Sequence, residues 1–194
     1  MIEQSALLVV DMQRAIRLDH PPAREFDRVV ARLNDIIVAM RSRNRPVLFI
    51  RHADQDGSWR GDGEGWPILP ELLFAPSDLI IDKTSCDAFR QTRLKEALAD
   101  LDVRSLLIGG YATEFCVDTT IRSAASHGYA VTALSDAHTT RDRPHLDAEV
   151  IITHHNWVWS GLANPGAPVC VLSTRDLLSA VTSSQASPGS PAQA

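Results

Sequence analysis

No stretch of this 194-residue chain approaches the roughly 20 consecutive apolar residues that a membrane-spanning helix needs. Cysteine is scarce. Cys86, Cys116 and Cys170 are odd in number and widely spaced, which excludes a disulfide framework and points to free thiols in a reducing compartment. The 19 basic residues are outnumbered by 24 acidic ones, for a net charge of -5, and no Lys/Arg block stands out. A nucleic-acid partner and an anionic membrane surface are therefore not expected. The N-terminal Met1-Ile2-Glu3-Gln4 lacks a basic leader segment and a cleavage site, so the expected location is cytoplasmic. No G-x-G-x-x-G follows the first apolar run and no P-loop occurs; Gly109-Gly110 is not a dinucleotide fingerprint. Internal repeats are absent. What remains, 44% hydrophobic and 22% charged residues, fits one soluble domain with a sizeable core. That domain is expected over residues 1–181, followed by a Ser/Pro/Ala/Gln-rich tail over 182–194 expected to be disordered.

Short apolar runs alternate with helical patterns. Strands are expected at residues 6–10, 46–50, 79–81, 105–108, 129–134 and 168–172. Helical spacing marks 25–43, where Phe26, Val29, Val30, Leu33, Ile36, Ile37 and Met40 form one apolar face. Further helices are expected at 91–101, 115–127 and 146–162, with a helical turn at 176–181 and a Gly- and Asp-rich loop at 54–66. Strands apolar on both faces and separated by helices imply an α/β fold with a parallel sheet covered by helices.

Ligands of such sheets sit beyond the carboxyl ends of the strands. Asp11, Arg51, His52, Asp82, Lys83, Gly109, Gly110, Asp136 and His138 follow the expected strands and should share that edge. Cys116 should lie in the first turn of the next helix, where a helix N-terminus lowers a thiol's pKa and favours the nucleophilic thiolate. Asp11 could take the thiol proton, Lys83 could stabilise the anion, and backbone N–H groups of the 109–116 turn could hold an oxyanion. Such a set serves acyl transfer from an amide through a thioester. Bland alternatives stay open: an inert core cysteine, Asp11 as a helix cap, Lys83 as a surface partner of Asp82. Cys86, three residues after Lys83, is the rival nucleophile, and Cys170 reads as core. A redox pair of Cys116 and Cys86, or a silent protein keeping the fold, are the alternatives to an enzyme.

Neither a metal nor another cofactor is expected. His52, Asp54 and Asp56 cluster in the order His-Ala-Asp-Gln-Asp, and the adjacent His154 and His155 point about 100° apart on a helix. Trp157 and Trp159 cannot share a helix face, so one should pack inward. Substrate contacts are expected from Trp59, Trp66, Tyr111, Glu114, Phe115 and His138.

Three segments, Ala6-Leu7-Leu8-Val9-Val10-Asp11-Met12-Gln13, Asp82-Lys83-Thr84 and Gly109-Gly110-Tyr111-Ala112-Thr113-Glu114-Phe115-Cys116-Val117, carry a resemblance, joined by Ser135-Asp136-Ala137-His138. Together they resemble the isochorismatase-like cysteine hydrolases over about residues 5 to 180. The resemblance implies a three-layer α/β/α sandwich around a six-stranded parallel sheet and a catalytic set of Asp11, Lys83 and Cys116. It also implies a non-proline cis peptide at Tyr111-Ala112 and oxyanion donors from the backbone N–H groups of Ala112 and Cys116. Family members with Cys at the nucleophile position are mostly amidases acting on small amides. Metal-binding nicotinamidases carry Asp-x-His after the second strand, where this chain has Arg51-His52-Ala53-Asp54. The segment 83–156, with Arg141-Asp142-Arg143-Pro144 and His154-His155-Asn156-Trp157, is most similar to streptothricin-hydrolase-like members, which open a cyclic amide. Similar proteins are homodimers or homotetramers.

Overall fold

The computed structural model describes residues 4–163 and 169–183. Six strands form one sheet: β1 (Ser5–Val10), β2 (Val47–His52), β3 (Leu79–Lys83), β4 (Ser105–Tyr111), β5 (Ala130–Thr139) and β6 (Val169–Leu172). Their order is β3-β2-β1-β4-β5-β6, and every neighbouring pair is parallel. The chain winds outward in both directions from β1, so β1 and β4 flank the point where the crossovers diverge. All six residues of β1 are buried, as a central strand covered on both faces requires.

Alternate β1 residues feed two cores. Leu7 and Val9 pack with the apolar face of α2 (Phe26–Arg41), namely Val29, Leu33, Ile36, Ile37 and Met40, and with Leu177 of α6 (Thr174–Ser183). Ala6, Leu8 and Val10 pack with Leu94 and Leu98 of α3 (Leu94–Asp100), Ile121 of α4 (Asp118–Ser126) and Trp159 of α5 (Ala148–Ser160). The result is a three-layer α/β/α sandwich. The short α1 (Ala15–Leu18) and a 3-10 turn at Gly57–Trp59 add to the expected elements. Among the described residues, no helix is long and apolar enough to cross a membrane.

The strands run further than the sequence pattern predicts. β4 continues through both glycines to Tyr111, and β5 continues past Leu134 to Thr139. The register explains why: Ile108 pairs with Ala133, but Gly110 pairs with His138, so Leu134 to Ala137 bulge against the single residue Gly109. Both glycines are needed there. A Cβ on Gly109 would lie 2.5 Å from the Ala137 carbonyl oxygen. Gly110 has φ +129°, and a Cβ on it would lie 2.1 Å from the Val10 carbonyl oxygen.

Two further expectations change, and one holds. Cys170 is exposed, because β6 is an edge strand. Residues 176–181 belong to the full helix α6, which reaches Ser183, two residues into the expected tail; 184–194 lie outside the described residues, as does Pro168. The Trp157/Trp159 split holds: Trp159 is fully buried and donates Nε1–H to Asp118 at 2.8 Å, while Trp157 is 74% exposed.

Candidate active site

Asp11 leaves β1 with φ 50°, a left-handed backbone that Asp accepts more readily than most residues. Its N–H donates to the Ile50 carbonyl on the neighbouring strand at 2.9 Å, which clamps the turn. Lys83 is the last residue of β3. Cys116 lies in a π-helical turn, Thr113–Val117, that precedes α4 and follows a cis peptide bond between Tyr111 and Ala112. The Ala112 carbonyl accepts from the N–H of Phe115 at 3.1 Å and of Val117 at 3.2 Å, passing over Cys116. Widened turns of this kind recur at functional sites.

These three residues meet. Lys83 Nζ donates to Asp11 Oδ2 at 2.7 Å and to Cys116 Sγ at 3.2 Å, and lies 3.2 Å from His52 Nδ1. The Lys83 side chain is fully buried, so it is no surface partner of Asp82, whose carboxylate instead takes a bidentate pair from Arg51 at 2.7 and 3.0 Å. Asp11 caps no helix; its Oδ1 is buried and has no hydrogen-bond partner. A buried acceptor left open in this way asks for a function, and a thiol proton or a water would satisfy it.

The electrostatics overturn one expectation. Burial raises the Cys116 pKa most, the adjacent Asp11 carboxylate raises it further, and Lys83 only partly offsets them. Net, the resting thiol holds its proton, and the helix terminus does not make it a thiolate. Burial alone would lower the Lys83 pKa, but Asp11 and then Cys116 raise it above its ordinary value. The ammonium therefore stays charged at neutral pH.

The group opens onto a cavity of about 230 Å³ lined in part by Asp11, His52, Trp59, Tyr111, Ala112 and Cys116. Trp59 and Tyr111 stack at 5.7 Å with their planes 8° apart, forming a flat wall. Arg141 is buried and donates to the Tyr111 hydroxyl at 2.8 Å, and Asp19 accepts from Trp59 Nε1 at 2.9 Å, so the wall is held from behind. Phe115 also lines the cavity, half exposed, with the Arg143 guanidinium carbon 5.2 Å above its ring. Arg143, which was not among the expected substrate contacts, also lines the cavity, as does Cys86, the rival thiol.

Three expected substrate contacts fall outside this lining. Trp66 lies under the Arg51 guanidinium, 3.9 Å from its carbon, and its carbonyl accepts from Gln13 at 2.9 Å. Glu114 is engaged by Arg143 at 2.6 Å. His138 lines a separate recess of about 310 Å³ and bridges the π turn to α5, with Nδ1 2.8 Å from Thr113 Oγ1 and Nε2 3.1 Å from Asn156 Oδ1. Burial pushes the His138 pKa down to about 4 from 6.5. The unfolded chain therefore takes up a proton below pH 6.5 that the folded chain refuses, and stability falls as pH drops from about 6.5 to about 4. The loss attributable to this group is about 3 kcal/mol. Urea melts of His138→Gln against pH should show a shallower acid limb over that window; an identical limb would remove His138 from the acid response.

Asp11, His52 and Cys116 offer ligand atoms within 4.8 Å of one another, the arrangement that could hold a metal ion among the described residues. Lys83 Nζ, however, sits within hydrogen-bonding distance of all three. A divalent cation there would have to expel a buried ammonium, so the donor set does not fit a resident metal.

Comparisons with known proteins agree with the architecture. A solved structure of an isochorismatase family protein superposes with a TM-score of 0.82 at 32% identity, covering 89% of this chain and all of that one. A streptothricin hydrolase of Streptomyces noursei is 31% identical over 140 residues, 72% of this chain and 56% of the relative; a second from that organism is covered to 51%, so the chain spans about half the length of these curated relatives. A ureidoacrylate amidohydrolase of Stutzerimonas stutzeri is 25% identical over 171 residues, 69% of each. The family model described as Isochorismatase domain matches residues 5–174, and with the parallel sheet and the residues gathered at its switch point this places the chain in the isochorismatase family.

Proposed function

We propose that this chain is a cysteine-dependent amidohydrolase that cleaves the C–N bond of a small amide, lactam or carbamoyl compound. The observation that carries the reading is the ammonium of Lys83 hydrogen-bonded at once to the Asp11 carboxylate and the Cys116 sulfur beneath a cavity. Likeness to a streptothricin hydrolase and to a ureidoacrylate amidohydrolase supports hydrolysis at an amide-type bond. The stacked Trp59–Tyr111 wall suits a planar amide group.

Because the thiol rests protonated, its proton moves to Asp11 as the sulfur attacks the carbonyl carbon. The carbonyl oxygen becomes an oxyanion, for which we assign the backbone N–H groups of Ala112 and Cys116 as donors. Collapse breaks the C–N bond, and protonated Asp11 returns its proton to the departing nitrogen. Asp11 then takes a proton from water, which attacks the thioester and releases the acid and the thiol. Lys83 keeps its charge throughout and compensates whichever partner is negative.

The test is a panel of small linear and cyclic amides assayed for amine, ammonia or carboxylate release. Turnover is expected to survive EDTA, to be lost on treatment with iodoacetamide, and to fall at least about a thousandfold in Cys116→Ala. Full activity in that variant, or an acyl adduct trapped on Cys86 alone, would sink the assignment of the nucleophile.

A further inference from the structure

A lysine ammonium has three hydrogens to give and accepts none. Two of those on Lys83 go to Asp11 Oδ2 at 2.7 Å and Cys116 Sγ at 3.2 Å; the third faces His52 Nδ1 at 3.2 Å. A ring nitrogen facing an ammonium can only accept, so the imidazole proton belongs on Nε2. That nitrogen lies 2.8 Å from Asp54 Oδ1, which receives it. The backbone of His52 is held as well. Gln13, fully buried, accepts from the His52 N–H at 2.7 Å and donates to the His52 carbonyl at 3.0 Å. The Trp59 ring makes an edge-type contact with the imidazole, with centroids 6.3 Å apart.

We propose that His52 is a positioning residue for Lys83: it takes the third ammonium hydrogen, with Asp54 fixing its tautomer, and so aims the other two at Asp11 and Cys116. The proposal deepens the amidohydrolase reading and rests on it for the roles of Lys83 and Cys116. The groups facing His52 are Lys83 and Asp54, with Asp11 and Cys116 across Lys83. Lys83 is the cation hydrogen-bonded to the thiol and the group that opposes burial and Asp11 in setting its acidity. With the third acceptor gone, a buried ammonium keeps an unpaired hydrogen and turns to satisfy it. The longer contact to sulfur gives way before the shorter one to the carboxylate.

The experiment uses iodoacetamide on the full chain, with alkylation of Cys116 read peptide by peptide against pH for the native protein, His52→Ala and His52→Asn. His52→Ala should move the profile upward by about one pH unit, about tenfold slower at a given pH on the rising limb. Asn can place Oδ1 near the position of Nδ1 and accept, but it shuttles no proton; it should restore the rate to within about threefold. An unmoved profile in His52→Ala, or Asn no better than Ala in folded protein, would overturn the proposal. Should His52→Ala fail to fold, the tautomer decides. Long-range proton–nitrogen spectra of the native protein at pH 8 should show the Nε2–H form, and an Nδ1–H form refutes it. Neither readout needs a substrate, so an amide panel without turnover leaves this test standing by itself.

Discussion

Replacing Asp11 with Asn should abolish turnover while making Cys116 easier to alkylate. The two effects have opposite signs because the carboxylate does two things. In the proposed mechanism it accepts the thiol proton, and losing a general base costs about 10²- to 10⁴-fold. As a buried negative charge beside the sulfur it raises the thiol's pKa, after burial the largest influence on that group. An oxygen of Asp11 lies within 4.8 Å of the sulfur. At an effective dielectric of about 20, unit charges at such a separation interact by about 3 kcal/mol, about two pKa units. The Asn variant therefore exposes more thiolate at pH 7. Because a more acidic thiol is a weaker nucleophile, the net gain in alkylation is about tenfold. Asn also suits the left-handed backbone and still offers Lys83 an acceptor, so the fold should persist. Slower alkylation together with lost turnover would mean that the carboxylate activates the resting thiol instead of suppressing it.

Lys83→Met should have the opposite signature and a larger structural cost. It leaves the Asp11 carboxylate buried with no cation, and removing one partner of a buried pair costs about 3–5 kcal/mol. Since the Lys83 pKa is raised, its charge is present in the folded state at every pH below the ordinary lysine value and is lost only as pH rises through the higher folded one. The deficit measured by urea unfolding should accordingly be uniform between pH 7 and 9. With the ammonium gone, every remaining influence on Cys116 opposes ionisation, and alkylation at pH 8 should be at least about tenfold slower than in the native protein. A variant with native stability and a native alkylation profile would show that the ammonium neither pairs with Asp11 nor acts on the sulfur.

The central strands were legible because β1 is apolar throughout and ends in a single Asp, and because buried parallel strands need no alternation. Asp11, Lys83 and Cys116 followed from strand ends at one edge. What stayed hidden depends on distant packing. The expected strand stops at Leu134, yet β5 bulges there and resumes, since Gly109 leaves room for the Ala137 carbonyl. The π turn at Cys116 has no side-chain signature. Thiol acidity departs from the expectation because position on a helix is visible in a sequence while depth of burial is not. Trp66 sat in the right loop, but Arg51 took its face. Arg143 entered the cavity because β5 extends to Thr139 and delivers the following loop over Phe115.

Asp11, Lys83 and Cys116 are carried by the strands or the first turn beyond them, whereas Trp59 and Arg143 are carried by the connections that follow β2 and β5. Tool and template are thus separable. Grafting a different 55–78 connection onto the same sheet, with Asp54 kept beside His52, should retarget the protein to other molecules while its thiol titrates as before, so that new specificities can arise by exchanging loops without rebuilding the chemistry beneath them.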